Sequence, residues 1–202
     1  MTIEKPNLES VIIKLEGWCS LQKANRIFDL IIESDSQFTV ELGAFGGKSL
    51  IPMALAHKEK GSGFCLGIDA WKADAAISSE NAEANNEYWR RMDFQQIYRG
   101  CQKAIFENEV QDYCDTLRSR TDYASFIFAD NTIDILHEDS SHNASTILIE
   151  LKHWISKLKV GGYWIADDTN WVEAKEGYSH LPEYDLELKE DYETWQIWRK
   201  FK

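Results

Sequence analysis

Short apolar runs that end in glycine or an acid alternate along this chain with helix-forming segments. The runs with the length and composition of buried strands are FTVELG (38–43), GFCLGIDA (63–70), IDILHED (133–139) and GGYWIADD (161–168). The segments between them that suit helices include SLIPMALAH (49–57) and residues 143–158. Strands that alternate with helices predict an α/β fold, in which a mostly parallel sheet carries helices on both faces.

The loop after the first strand, GAFGGKS (43–49), ends as a phosphate-binding loop does. That loop needs Gly, four residues, and then Gly-Lys-Ser or Gly-Lys-Thr. Counting back from Gly47 places Leu42 where the first glycine should stand, and Gly43 is one residue too close. The length of the loop therefore argues against a nucleoside triphosphatase.

The residues that end the strands are the place to look for a ligand, because ligands of parallel sheets bind beyond the carboxyl ends of the strands. Asp69 ends the second strand, where an acid commonly binds the two hydroxyls of a ribose. Trp71 can stack on an adenine or enclose it. The glycines at positions 43 and 46 allow a backbone to pass close to a ligand.

Two ligands fit such a loop and acid, namely a dinucleotide and S-adenosylmethionine. The dinucleotide motif Gly-x-Gly-x-x-Gly lacks its second glycine here, because Ala44 and Phe45 follow Gly43. Glu41 would repel a pyrophosphate but suits the ammonium and sulfonium of S-adenosylmethionine. The residues therefore favour S-adenosylmethionine, with a nicotinamide-dependent oxidoreductase as the alternative.

Composition and charge limit the partners. The formal net charge is −12, from 22 basic and 34 acidic residues, which disfavours nucleic acid and anionic membranes as partners. No apolar run approaches the ~18 residues of a membrane span, and the first ten residues lack the features of a signal peptide. The spacing of the cysteines suggests reduced thiols in a cytoplasmic protein: Cys19, Cys65, Cys101 and Cys114.

Taken in order, VELGAFGGKSL, GIDAW, IDILHEDSSH and LKVGGYWIADDT resemble the class I S-adenosylmethionine-dependent methyltransferases. More narrowly, they are similar to the metal-dependent O-methyltransferases that include macrolide sugar methyltransferases. The resemblance implies a Rossmann-like sheet of seven strands with the last antiparallel, for which ETWQIWRKF (193–201) is suitable. It also implies that the following residues bind the cofactor: Glu41, Gly43, Ala44, Phe45, Gly46, Ser49, Asp69, Trp71, Ser119 and Asp139. Of these, Ser119 would border the adenine.

Three carboxylates at the ends of two strands form a candidate metal site. Asp139 ends the fourth strand, and Asp167 and Asp168 end the fifth. Clustered carboxylates repel one another unless a cation binds, and ligands that are all oxygen favour Mg²⁺. Such an ion would hold the acceptor hydroxyl and lower its pKa. Catechol-type relatives have Asn at the position of Asp168, so the sequence departs from them at the third ligand.

His142 is the candidate catalytic base. It lies three residues after Asp139, a spacing that directs both side chains toward one site across a strand-to-helix turn. A neutral histidine accepts a hydroxyl proton, and the resemblance to macrolide sugar methyltransferases implies a base here. Catechol-type relatives instead have Lys. His137, inside the strand, is predicted to be a buried, hydrogen-bonded core residue.

We therefore expect a single domain over 1–202, with N-terminal helices in 1–34, a cofactor-binding core in 39–170, and a lid with the last strands in 171–202. The predicted activity is metal-dependent O-methylation of a small-molecule hydroxyl on a sugar, a natural product or a phenol. A non-catalytic protein that binds S-adenosylmethionine as a partner subunit remains open. The N-terminal helices, in which Ser20 is a predicted N-cap, allow a homo-oligomer.

Overall fold

The computed structural model describes residues 4–140 and 142–202. The strands are β1 Phe38–Leu42, β2 Phe64–Asp69, β3 Cys114–Arg118, β4 Ile133–Glu138, β5 Leu158–Asp167, β6 Leu186–Asp191 and β7 Trp195–Lys200. The helices are α1 Leu8–Ile12, α2 Leu21–Glu33, α3 Leu50–Lys60, α4 Ala73–Ala76, α5 Glu83–Arg91, α6 Phe94–Glu107, α7 Thr121–Ala124, α8 Ala144–Trp154 and α9 Val172–Tyr178. Two 3₁₀ turns cover Ser125–Ile127 and Leu181–Tyr184.

All seven strands form one sheet in the order β3-β2-β1-β4-β5-β7-β6. Strands β1 to β5 pair in parallel, whereas β7 pairs antiparallel with both β5 and β6. The register pairs Leu42 with Glu138 and Glu138 with Ala166, so that β1, β4 and β5 end side by side. The predicted seven-stranded α/β fold with its antiparallel last strand is confirmed.

Helices cover both faces of the sheet, and each face has its own apolar core. Ile135 and Ile165 point to the face covered by α2, α3 and α6. Their chain neighbours Leu136 and Trp164 point to the opposite face, where α8 and α9 pack. This alternation follows from the two-residue period of a strand, which turns successive side chains to opposite sides. Continuously apolar runs are what a strand buried on both faces requires.

Several local expectations need correction. Residues 8–15 have apolar side chains at helical spacing and Gly17 could end a helix there, yet α1 has only five residues and ends at Ile12. The acidic run 183–193 suits a solvated face, and it contains the edge strand β6, most of whose side chains are exposed. In α2, Ser20 is the N-cap as predicted and accepts a hydrogen bond from the backbone N–H of Lys23. Yet Leu21, which has the spacing of an apolar helical stripe with Ala24, Ile27 and Phe28, is 38% exposed, while Lys23 is only 4% exposed.

The four cysteines are free and buried. Within the part of the chain that the structure describes, none of the helices combines the length and apolarity that crossing a bilayer demands.

Candidate active site

A cavity of about 640 Å³ opens beyond the carboxyl ends of β1, β2, β4 and β5. Such a volume is typical of sites for cofactors and small molecules, which span about 300–1,000 Å³. Eight of the predicted site residues line it: Gly43, Ala44, Phe45, Ser49, Asp69, Asp139, His142 and Asp168. The fold therefore brings side chains from four strand ends to one place, as the parallel topology predicts.

The loop after β1 is shaped by residues with left-handed backbones. Gly43 has φ +88°, and a Cβ at this position would collide with the backbone of Asp139 and Ser140. Glycine is thus required for the loop to pass close to the end of β4. Phe45, although not a glycine, has φ +42° and also lines the cavity.

Asp69 organises this loop from the end of β2. Its carboxylate accepts hydrogen bonds from the backbone N–H of Phe45 at 3.0 Å and of Trp71 at 2.6 Å. Burial raises the pKa of Asp69, and these two backbone donors oppose the rise. The indole Nε1–H of Trp71 donates to the carbonyl oxygen of Phe45 at 2.8 Å. Trp71 is thus buried behind the loop and does not line the cavity, unlike an adenine-stacking ring.

Glu41 lies in the sheet rather than at the cavity wall. It is fully buried, accepts a hydrogen bond from the Ser49 hydroxyl, and lies 2.9 Å from His137 Nδ1. His137 Nε2 lies 3.6 Å from Asp167 Oδ2. Burial would lower the pKa of His137, but the neighbouring carboxylates of Asp167 and Glu41 outweigh it and raise the pKa to about 9. Glu41 therefore faces the imidazole of His137, which is the buried, hydrogen-bonded residue expected from its position.

Lys23, which the sequence analysis did not select, contacts the carboxylates at the end of the sheet. Its Nζ donates a hydrogen bond to Asp167 Oδ2 and lies 3.8 Å from Asp139 Oδ2. Burial would lower the pKa of Lys23, but these two carboxylates raise it above its usual range. Burial would likewise raise the pKa of Asp167, but Lys23 and His137 hold it well below its usual range. An ammonium therefore neutralises the carboxylate cluster.

His142 and Asp168 form a separate pair at the cavity. His142 Nε2 lies 3.2 Å from Asp168 Oδ2, and both side chains remain partly exposed. Asp168 has a left-handed backbone with φ +50°, in a turn that directs its carboxylate away from its neighbour Asp167. Burial raises the pKa of Asp168, whereas His142 acts to lower it. The ring of Trp171 packs against His142, with 4.5 Å between centroids.

The residues present do not fit the predicted Mg²⁺ site. Its three expected ligands face different partners: Asp167 contacts Lys23, Asp139 lies close to the same ammonium, and Asp168 faces His142. Mg²⁺ needs oxygen ligands in near-ideal octahedral geometry at about 2.0–2.1 Å, and the lysine nitrogen already contacts the Asp167 oxygen.

A different trio of described residues, Glu41, His137 and Asp139, could each offer one ligand atom, all within 4.8 Å of one another. Two of the three are fully buried, and they already bond to each other.

Two further predicted residues lie outside the cavity wall. Gly46 packs against the backbone of Glu16, which leaves no room for a side chain there. The backbone N–H of Ser119 donates to the carbonyl oxygen of Asp69 at 2.9 Å, and the cavity is lined instead by the next residues, Arg120, Thr121 and Asp122. The end of β3 therefore borders the cavity through its following turn.

Comparison with known proteins identifies the family. A family model described as a methyltransferase domain matches residues 40–169, which include most of β1, all of β2 to β5 and every predicted site residue. The chain belongs to this methyltransferase family. No curated protein matches it in sequence.

Solved structures share the fold of this methyltransferase at low sequence identity. A methyltransferase from Geobacter sulfurreducens is 14% identical with a TM-score of 0.64, covering 91% of this chain and 80% of that one. The O-methyltransferase TomG from Streptomyces achromogenes is 11% identical with a TM-score of 0.69, covering 100% and 93%. The O-methyltransferase NovP is 14% identical with a TM-score of 0.64, covering 90% and 79%. At such identities the likeness establishes the fold alone.

An aromatic wall covers one side of the methyltransferase cavity. The wall consists of Trp18, Phe45, Tyr88 and Trp89, which all line the cavity. The rings of Trp18 and Phe45 are stacked with 5.5 Å between centroids, and those of Tyr88 and Trp89 have 5.0 Å between centroids. Trp18 is 63% exposed, although it lines the cavity. Tyr88, Trp89 and Phe94 lie in the long, aromatic-rich segment 72–110, which the sequence marks as a candidate cover of the acceptor pocket. Trp18 has no such signal, because its place beside the loop depends on the turn after α1.

Proposed function

We propose that this methyltransferase transfers the methyl group of S-adenosylmethionine to a hydroxyl oxygen of a small-molecule acceptor. The observation that carries the proposal is the shared cavity. The glycine loop and Asp69, which suit the cofactor, line the same space as the His142–Asp168 pair, which suits proton removal. Likeness in fold to TomG, whose structure was solved in complex with S-adenosylmethionine, supports the choice of cofactor.

The cofactor would lie along the ends of β1 and β2. Asp69 would accept hydrogen bonds from the ribose hydroxyls, since a carboxylate has about four lone-pair sites and two are used by backbone N–H groups. Ser49 and the backbone of Gly43 and Ala44 would hold the methionine part. The turn after Ser119 would border the adenine. Residues 39–170 would thus be the cofactor-binding core and residues 171–202, which begin with Trp171 at the cavity, the lid and last strands.

His142 would act as the general base. With Nε2–H donating to Asp168, Nδ1 carries the lone pair that takes the proton from the acceptor hydroxyl. The oxygen attacks the methyl carbon while the carbon–sulfur bond breaks, and its electron pair neutralises the sulfonium to leave S-adenosylhomocysteine. The Asp168 carboxylate stabilises the imidazolium that forms. Mg²⁺ has no step in this proposal, because Lys23 contacts its predicted ligands.

The acceptor would be a small ring-bearing molecule with a hydroxyl group. The aromatic wall around Trp18 and Trp89 offers ring faces for stacking against a phenol or a sugar. The formal net charge of −12 disfavours a nucleic-acid acceptor. TomG and NovP, which share the fold, are O-methyltransferases, and this supports an oxygen acceptor.

The test is to incubate the protein with S-adenosylmethionine labelled in the methyl group and a panel of phenols, catechols and sugars. We expect label on an acceptor oxygen, and we expect His142→Gln to slow the transfer strongly while S-adenosylhomocysteine still binds. Label found on nitrogen or carbon acceptors would contradict O-methylation. Full transfer by His142→Gln would contradict the assignment of the base.

A further inference from the structure

We infer that the Lys23 ammonium takes the place of a divalent cation at the strand-end carboxylates, so that methyl transfer by this protein needs no metal ion. This inference rests on the proposed function. It goes beyond that function by assigning Lys23, a residue of α2 outside the family match, a part in the site.

The geometry places one ammonium group between two acidic side chains. Lys23 Nζ contacts Asp167 and lies 3.8 Å from Asp139 Oδ2, while the lysine side chain is almost completely buried. Two neighbouring carboxylates at the end of a sheet would repel each other in a poorly solvated place unless a cation is present. Lysine supplies a compact charge of that kind from within the chain.

Electrostatics then oppose a second cation at the same place. The imidazole ring of His137 lies on the other side of Asp167, with its Nε2 3.6 Å from the carboxylate oxygen that Lys23 also contacts. A divalent ion bound to Asp139 and Asp167 would have to displace Lys23 or lie close to its ammonium. The cost of leaving an ammonium buried and unpaired makes displacement unfavourable.

The position of Lys23 is fixed by its helix. Three residues along α2, Arg26 forms a two-pronged ion pair with Glu190 of β6, at 2.8 Å and 2.7 Å. The preceding Ser20 caps the helix. The helix is thus fixed at its N-terminus and on the side that meets the edge of the sheet, which keeps the backbone of Lys23 within reach of the carboxylates.

Lys23 acts on the cavity through Asp139. The lysine does not line the cavity, whereas Asp139 does and also lies close to the ammonium. Lys23 is therefore a positioning residue, whose ammonium lies beside the carboxyl group of Asp139. The same arrangement leaves Asp168 free to pair with His142 rather than to coordinate a metal ion.

The test compares metal binding with cofactor binding in chelator-treated protein. Binding of Mn²⁺ is followed by loss of the electron paramagnetic resonance signal of the free ion, and binding of S-adenosylhomocysteine by calorimetry with EDTA or with Mg²⁺. The variants are Lys23→Ala, Lys23→Ala with Asp167→Asn, and Lys60→Ala. Lys60 is the matched control, because its side chain is only 8% exposed, it pairs with an acid, Asp35, and it does not line the cavity.

We expect the wild type and Lys60→Ala to bind no Mn²⁺, and wild-type affinity for S-adenosylhomocysteine to be the same with EDTA and with Mg²⁺. Lys23→Ala should gain a Mn²⁺ site that the added Asp167→Asn removes. Wild-type protein that binds Mn²⁺ and loses it on Asp167→Asn would overturn the inference. A folded Lys23→Ala protein that binds no Mn²⁺ would overturn it as well.

If Lys23→Ala does not fold, the wild-type measurements still decide the question. The inference is supported if the affinity for S-adenosylhomocysteine is the same with EDTA as with Mg²⁺ and no Mn²⁺ binds. Binding of Mn²⁺ through Asp167 contradicts it. Failure of the proposed function has a different signature, which is the absence of S-adenosylhomocysteine binding by the wild type under both conditions.

Discussion

His142 Nε2 lies 3.2 Å from Asp168 Oδ2, although the two residues follow different strands. The parallel pairing of β4 with β5 brings their carboxyl ends together, and Glu138 is the register partner of Ala166. The left-handed backbone of Asp168 then directs its side chain to the histidine, whereas the side chain of Asp167 is buried and contacts Lys23. Two adjacent acids thus perform separate tasks.

Replacing His142 by Gln should lower the rate of methyl transfer by about 10²- to 10⁴-fold, because a positioned general base contributes roughly that much. Affinity for S-adenosylhomocysteine should not change, since the product complex needs no proton acceptor. Steady-state kinetics and calorimetry measure the two quantities. His180→Gln is the matched control, because His180 is paired with Glu183 on the surface at 3.0 Å. Equal losses of rate in both variants would reject the assignment.

Asp69→Asn should weaken S-adenosylhomocysteine binding by about 10- to 100-fold, since hydrogen bonds to charged groups contribute about 1.5–3 kcal/mol. The amide oxygen can still accept one backbone N–H, so that the fold of the loop is largely retained. Calorimetry measures the dissociation constant. Asp115→Asn, at an exposed position on β3 outside the cavity, provides the control. Unchanged affinity for S-adenosylhomocysteine in Asp69→Asn would show that Asp69 does not bind the ribose.

Lys23 and Asp167 should be strongly coupled in stability. Removal of one partner of a buried ion pair typically costs about 3–5 kcal/mol, because the other charge is left unpaired. We therefore expect Lys23→Met and Asp167→Asn each to destabilise the protein by about that much, and the double variant to lose much less than their sum. Denaturant unfolding of all four proteins gives the coupling energy. Additive losses would show that the contact contributes nothing.

His57 should make stability depend on pH. Burial, with Lys60 nearby, lowers the pKa of His57 to about 4, and its Nε2 lies 3.0 Å from the Thr39 hydroxyl. The unfolded state, with an ordinary pKa of 6.5, takes up a proton first as the pH falls. The contribution is therefore fully present above pH 6.5 and is lost as the pH falls toward 4, by up to about 3 kcal/mol.

Unfolding free energies measured between pH 4 and pH 7 should fall more steeply for the wild type than for His57→Gln. The slope is the diagnostic quantity, because the substitution also changes the absolute stability. Identical slopes for the two proteins would contradict this account of His57.

The sequence predicted the sheet and the meeting of its strand ends, because apolar runs and their terminal residues follow directly from burial and topology. It could not predict which acid faces which cation. Spacing placed Asp139, Asp167 and Asp168 in one region, but the left-handed turn at Asp168 separates them.

The most informative missed signal was Lys23, which lies four residues before Ile27 and so on the buried side of α2. A lysine on an apolar helical face needs a buried acid as its partner. The partner comes from the end of β5, which is distant in sequence and could be found only once the fold was known.

The most direct test of the central claim is a calorimetric titration of the wild type with S-adenosylhomocysteine, with NADH and ATP titrated in parallel. The account predicts saturable binding of one S-adenosylhomocysteine per chain and no comparable binding of NADH or ATP. Binding of NADH, or of ATP with Mg²⁺, without binding of S-adenosylhomocysteine would contradict it, and the cavity would then belong to a different cofactor.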